Sequence, residues 1–183
     1  MQKVLLPPTL SIFGFKDSGK TLVATYVIEH FTSQNLRVLA IKHVGEPSFT
    51  LDHPKTDSHR LTQSGAAAVI LHSDASTSLL CSHPASSLKE LIHLGTSSIQ
   101  ADIVVLEGFR SWTQHNEQIA KIICIKEQEE IKELAEGLRG QLLATCSLKS
   151  GIQGTLHIPD KFPELLIRLD YWLGTAHPIS EIE

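Results

Sequence analysis

The chain of 183 residues has no basic excess: 16 Lys and Arg stand against 20 Asp and Glu, for a formal net charge of −4. No Lys/Arg cluster stands out either, so binding to nucleic acid has no electrostatic footing. No apolar run approaches membrane-spanning length. Pro7-Pro8 breaks the short run in "MQKVLLPPTL" before it could serve as a signal-peptide core, and a protein without leader or membrane segment is the expectation. There are only three cysteines, Cys81, Cys124 and Cys146, and none has zinc-type spacing. Cys124 and Cys146 lie in apolar, strand-like runs, which reads as buried reduced thiols and suits a cytoplasmic protein. Internal repeats, low-complexity tracts and linkers are also missing. One domain over residues 1–183 is therefore expected, with enough chain to bury a core and keep a cleft.

What is present is an alternation of apolar runs with helix-like segments. "TLSIF" (9–13) reads as a buried strand, Thr21 to Ser33 as a helix, and "RVLAIKH" (37–43) as a second strand. A polar loop, 44–56, leads to a short helix at 57–65 ending at Gly65. "AAVILHS" and "TSLLCS", separated by "DAS", predict a hairpin. A helix capped by Ser86 or Ser87 follows at 86–94. "ADIVVLEGF" (101–109), "AKIICIK" (120–126), "GQLLATC" (140–146) and "LHI" (156–158) are further strands, with helices at 128–138 and 160–173. Continuous apolar strands alternating with helices indicate an α/β fold: a largely parallel central sheet covered by helices, with a β-hairpin excursion.

The sharpest local feature is Gly14-Phe15-Lys16-Asp17-Ser18-Gly19-Lys20-Thr21, a complete G-x-x-x-x-G-K-[ST] phosphate loop between strand and helix. Glycine relieves the steric limits on turning backbone N–H groups inward, and the helix adds its positive N-terminal end. The nucleotide-binding candidates are thus Gly14, Lys16, Asp17, Ser18, Gly19, Lys20 and Thr21, within a P-loop NTPase fold. Lys20 is expected on the β- and γ-phosphates and the Thr21 hydroxyl on Mg²⁺. Glu107, at the tip of "IVVLEG", is the second acid expected on the metal side, where α/β sheets hold their ligands. Asp102, at the other end of that strand, reads as structural.

The polar stretch 41–66 suits a segment that senses the terminal phosphate or the metal. Asp52 and Asp57 are candidate metal-binding or water-orienting acids, and Arg60 and Lys42 candidate anion contacts; Asp57 could equally cap the next helix. Lys20, Glu107 and Asp57 are the catalytic candidates, and Thr21, Glu107 and Asp52 the metal candidates. His43, His53 and His59 fit no compact ligand motif, and His72 reads as a satisfied structural residue.

"GFKDSGKT", "IKH", a downstream "KTDSHR…SGA" and "DIVVLEGFR" occur in the order and spacing of the molybdopterin-guanine dinucleotide biosynthesis protein B (MobB) family, which the chain resembles over roughly residues 8–125. The resemblance implies a small GTP-binding protein with weak hydrolysis, a homodimer, assisting the guanylyltransferase that attaches GMP to molybdopterin. GTP and Mg²⁺ are the implied cofactors, and molybdopterin itself is a further candidate ligand. Two features depart from the family pattern: Val44-Gly45 follows His43 where further histidines are usual, and "HPKTDS" lacks a Gly and inserts Thr56. No Asn-Lys-x-Asp or Thr-Lys-x-Asp element is present, and "LLATCSLKS" in its place contains no Asp, so guanine preference rests on the resemblance.

The leading expectation is a GTP–Mg²⁺-binding adapter. A small-molecule kinase is an alternative; it would need a base near an acceptor pocket and a lid with arginines, part of which "FRSWTQHNEQIA", with Arg110 and His115, could supply. A metallochaperone GTPase is another and would need a His/Cys cluster.

Overall fold

A computed structural model describes residues 6–46 and 48–179. In chain order the elements are β1 (Thr9–Gly14), α1 (Lys20–Ser33), β2 (Val38–Lys42), α2 (Asp57–Gln63), β3 (Ala68–His72), β4 (Thr77–Cys81) and α3 (Leu88–Ser98). They continue as β5 (Ile103–Glu107), α4 (Arg110–Thr113), β6 (Ala120–Ile125), α5 (Glu130–Ala135), β7 (Leu142–Ser147), β8 (Leu156–His157) and α6 (Phe162–Thr175).

Six strands form one parallel sheet in the order β2-β5-β1-β6-β7-β8. The chain runs outward from central β1 to β2, returns through β5, and then builds the other side, so the strand order reverses around β1. In open α/β sheets, ligands gather beyond the carboxyl ends of the strands at such a reversal.

Helices on both faces explain the unbroken apolar strands. Side chains alternate along a strand. Ile103 and Val105 of β5 therefore join Leu10, Ile12, Val27, Phe31 and Leu169 in the cluster under α1 and α6. Val104 and Leu106 join Leu88 and Ile92 of α3 on the opposite face. Phe13, Ile123 and Ile125 pack with Leu134 of α5. Each such side chain contributes about 1.5–3 kcal/mol on full burial, so the central strands carry much of the stability.

By its contacts the chain, expected to be one domain, falls into two compact units: Met1–His43 with Ser87–Glu183, and Val44–Ser86. The first holds the parallel sheet. The second holds α2 and the antiparallel β3–β4 hairpin, in which Val69 pairs with Leu80 and Ile70 with Leu79. The expected hairpin is present, and His72 Nδ1 lies 2.8 Å from Thr77 Oγ1 across it.

Several expected boundaries shift for local reasons. The strand expected over 101–109 is Ile103–Glu107, because Gly108 (φ 93°) and Phe109 (φ 57°) turn left-handed and start the unexpected α4. At the other end of β5, Asp102 accepts hydrogen bonds from Arg37 Nε at 3.0 Å, Nη2 at 2.9 Å and the backbone N–H at 2.8 Å. Those bonds hold its carboxyl down at about 2, which makes it a structural clasp as expected. Ser87, rather than Ser86, caps α3 by accepting from the Glu90 N–H.

Lys121 is fully buried inside the otherwise apolar β6 and donates to the carbonyls of Asn116 and Arg139. Burial lowers its ammonium to about 8, against a smaller raising effect of Glu117.

Cys124 and Cys146 are buried side by side across β6 and β7, and burial raises both thiols, Cys146 to about 12. Cys81, on β4, is exposed. A thiolate-selective reagent at pH 8 should therefore modify one cysteine in the native protein and all three after denaturation. Native modification of two or three cysteines, read by mass spectrometry, contradicts this burial pattern.

Candidate functional site

The loop between β1 and α1 is shaped by close backbone approach. A Cβ on Gly14 would sit 2.0 Å from the Cys124 carbonyl oxygen of the neighbouring strand, so no other residue fits without displacing β6. Asp17 (φ 60°) and Gly19 (φ 87°) are both left-handed, and they turn the chain into α1, whose first residue is Lys20. A Cβ on Gly19 would in addition press to 2.8 Å from the Leu148 side chain. The first turn of α1 has no acidic residue, so the positive end of a 14-residue helix is left without a carboxylate of its own.

Inside this loop Ser18 is buried, and its Oγ has no hydrogen-bond partner. A buried hydroxyl without a partner costs about 1–3 kcal/mol, which a phosphate oxygen in the loop would remove. Lys16 and Asp17 are exposed at the loop tip. Lys20 Nζ donates to the Phe15 carbonyl at 2.6 Å, which folds the ammonium back over the loop.

Three further groups meet beside the start of α1. Thr21 Oγ1 donates to Glu107 Oε1 at 2.7 Å. Lys42 Nζ donates to the same carboxylate oxygen at 2.5 Å and lies 3.2 Å from Thr21 Oγ1. The sheet register brings this about: Lys42 ends β2, Glu107 ends β5, and the two are directly paired. The side chain of Glu107 is 13% exposed, whereas that of Lys42 is 54% exposed. Thr21 and Glu107, both expected on the metal side, thus lie in direct contact, and Lys42, a candidate anion contact, pairs with the Glu107 carboxylate. Behind it, His43 meets the Phe109 ring edge-on at 5.3 Å, and Phe109 contacts Trp112 at 5.6 Å.

Gly14, Lys16, Asp17, Ser18, Gly19, Lys20, Thr21 and Glu107 thus gather around one strand-to-helix turn. Asp52, Asp57 and Arg60 belong to the Val44–Ser86 unit. Asp52 Oδ1 accepts from Thr56 Oγ1 at 2.7 Å, Ser58 Oγ at 2.8 Å and the His53 N–H at 3.0 Å. The first two of these bonds are the main causes that lower its carboxyl. Thr56 is the N-cap of α2, its hydroxyl accepting from the His59 N–H, which corrects the suggestion that Asp57 caps this helix. Asp57 is the first helical residue, 95% exposed, and pairs with Arg60, itself 74% exposed, at 3.2 Å.

The residues proposed for a kinase lid are held elsewhere. Arg110 donates to Gln114 Oε1 and to the Glu133 carbonyl, and His115 Nδ1 lies 2.8 Å from the Gly137 carbonyl. Among the described residues no three His, Cys, Asp or Glu side chains gather in a way that could hold a metal ion between them. Also among the described residues, no helix is long and apolar enough to cross a membrane.

The sequence did not reveal that Lys42 completes the Thr21–Glu107 pair. The usable signal was that both Lys42 and Glu107 end apolar strands; that those strands are neighbours is visible only in the fold.

Residues 9–147 match the family described as Molybdopterin guanine dinucleotide synthesis protein B. The chain is 27% identical over 170 residues to the molybdopterin-guanine dinucleotide biosynthesis adapter protein of Haemophilus influenzae, covering 93% of this chain and 92% of that one. It is 28% identical over 120 residues to a putative adapter protein of the same description from Methanocaldococcus jannaschii, covering 66% of this chain and 48% of that one. Among solved structures, the Bacillus subtilis MobB superposes with a TM-score of 0.65 at 22% identity, over 89% of this chain and 96% of that one. A MobB homologue from Bacillus stearothermophilus gives 0.64 at 17% identity, over 91% and 98%. At these identities the structures speak for the fold.

Proposed function

Since the chain belongs to the MobB family, we propose that it is a GTP–Mg²⁺-binding adapter in molybdenum cofactor biosynthesis, which assists the enzyme that attaches GMP to molybdopterin. The observation that carries this reading is the loop of residues 14–21, with a buried Ser18 hydroxyl lacking a partner and a Thr21–Glu107 pair at its edge.

The chemistry of these groups fits a magnesium-bound nucleoside triphosphate. Backbone amides of the loop and the start of α1 would take the phosphates. Lys20 would exchange the neutral Phe15 carbonyl for an anionic phosphate oxygen, gaining an ion pair in place of a bond to an uncharged acceptor. Thr21 and Glu107 would hold Mg²⁺, which neutralises charge on the β- and γ-phosphate oxygens when bound. Asp52, Asp57 and Arg60 would serve the second unit's response to the nucleotide, with Asp57 the candidate for orienting water in a slow hydrolysis. An adapter needs only different contacts in its two nucleotide states, so fast turnover is not required.

Guanine preference and homodimer formation are part of the same proposal and come from the family resemblance, and a cytoplasmic location is proposed from the cysteines. Three unpaired cysteines are compatible with a reducing compartment.

Calorimetric titration with GTP and with ATP, both with Mg²⁺, tests the nucleotide site: GTP should bind more tightly. Lys20→Ala should lose about 2–4 kcal/mol of that binding; unchanged affinity in the variant would remove the basis of the assignment. The adapter role is tested by capturing the guanylyltransferase on this protein loaded with GTP or GDP, with light scattering for its oligomeric state. Capture that depends on the nucleotide and a dimeric mass are expected. Capture indifferent to nucleotide, or a monomer, contradicts the corresponding part.

A further inference from the structure

We infer that Lys42 is a built-in counter-cation of the metal site: its ammonium neutralises Glu107 and faces Thr21 until a divalent cation arrives with the nucleotide, and it must leave for that cation to bind. This inference rests on the reading of residues 14–21 as a nucleotide site and concerns how that site is regulated.

Lys42 Nζ donates to Glu107 Oε1 at 2.5 Å and lies 3.2 Å from Thr21 Oγ1, while Thr21 Oγ1 itself donates to Glu107 Oε1 at 2.7 Å. The ammonium therefore engages the two oxygens that a P-loop threonine and a strand-end acid offer to Mg²⁺. It takes up lone pairs that a divalent cation would use, and at about 4 Å a +1 and a +2 charge repel by roughly 2 kcal/mol in water and about 8 kcal/mol at the effective dielectric near a protein surface.

The two partners differ in a way that favours exchange. Glu107 is 13% exposed and fixed at the end of a central strand, so its charge calls for a partner whether or not nucleotide is bound. Lys42 is 54% exposed on a flexible four-carbon stem, so its ammonium can move into solvent or onto a phosphate oxygen while the arriving divalent cation takes over the Glu107 charge. Lys20 does not perform this role, because its ammonium is engaged by the Phe15 carbonyl. Lys42 is also the last residue of β2, and the Val44–Ser86 unit begins two residues later. The cation exchange thus occurs where the chain enters the second unit.

The test measures the Mg²⁺ concentration that gives half-maximal GDP binding in wild-type, Lys42→Met, Lys42→Gln and Lys42→Arg proteins. GDP is the probe because it lacks a terminal phosphate, so any contact of Lys42 with that group drops out. Both neutral variants should need less Mg²⁺, by up to about fivefold for loss of a partly exposed ion pair, and Lys42→Arg should stay near wild type. A melting curve of each variant in chelator without nucleotide establishes that it is folded, and the glutamine variant carries the test if the methionine variant is not. An unchanged or higher Mg²⁺ requirement in the folded neutral variant overturns the inference alone. Wild-type protein that binds no guanine nucleotide at any Mg²⁺ concentration overturns the nucleotide-site reading, and this inference with it.

Discussion

The approach of Gly14 to the Cys124 carbonyl of the neighbouring strand, where a Cβ would be only 2.0 Å away, is the constraint on which the site is built. Because β1 lies that close to β6 at its carboxyl end, the chain must leave the sheet in a tight bend. Asp17 and Gly19, both left-handed, then deliver it directly into α1. The bend buries Ser18 and aims the helix's positive end at the same small volume. The core supports this arrangement from below: Leu10 and Ile12 of β1 are locked between β5 and β6 and covered by α1 and α6, so the loop stands on the most constrained strand of the sheet.

Electrostatics complete the site. Without Lys42, the Glu107 carboxylate would be a largely buried charge with only a threonine hydroxyl to offset it. Such a charge is costly unless it is paired. The β2–β5 register supplies the partner by setting two strand-end residues of opposite sign side by side. The charge balance that stabilises the sheet tip is therefore also the balance that a divalent cation would disturb. Structural and functional requirements meet in one carboxylate.

Much of this was legible in the residues. The eight-residue loop, the apolar strands β1, β5 and β6, the hairpin and the acid closing "IVVLEG" all follow from composition and local period, because each is a short-range feature. What escaped was what depends on distant neighbours or on a choice between equivalent chemistries. Lys42 meets Glu107 only because β5 inserts between β2 and β1, a crossover that no local pattern encodes. Thr56 and Asp57 are both good capping residues, and it is the Thr56 hydroxyl, held by Asp52, that accepts from the His59 N–H and caps α2. Phe109 carries no sequence mark of a left-handed backbone, so the short α4 behind Glu107 went unforeseen. That the polar stretch 44–56 groups by contacts with the hairpin is likewise a matter of distant neighbours.

Backbone-amide NMR reads whether main-chain amides of residues 15–21 surround nucleotide phosphates. On addition of GDP with Mg²⁺, large shifts should concentrate in the amides from Phe15 to Thr21, with smaller ones at Glu107 and Lys42. Shifts that leave this loop untouched while nucleotide is bound would contradict that placement.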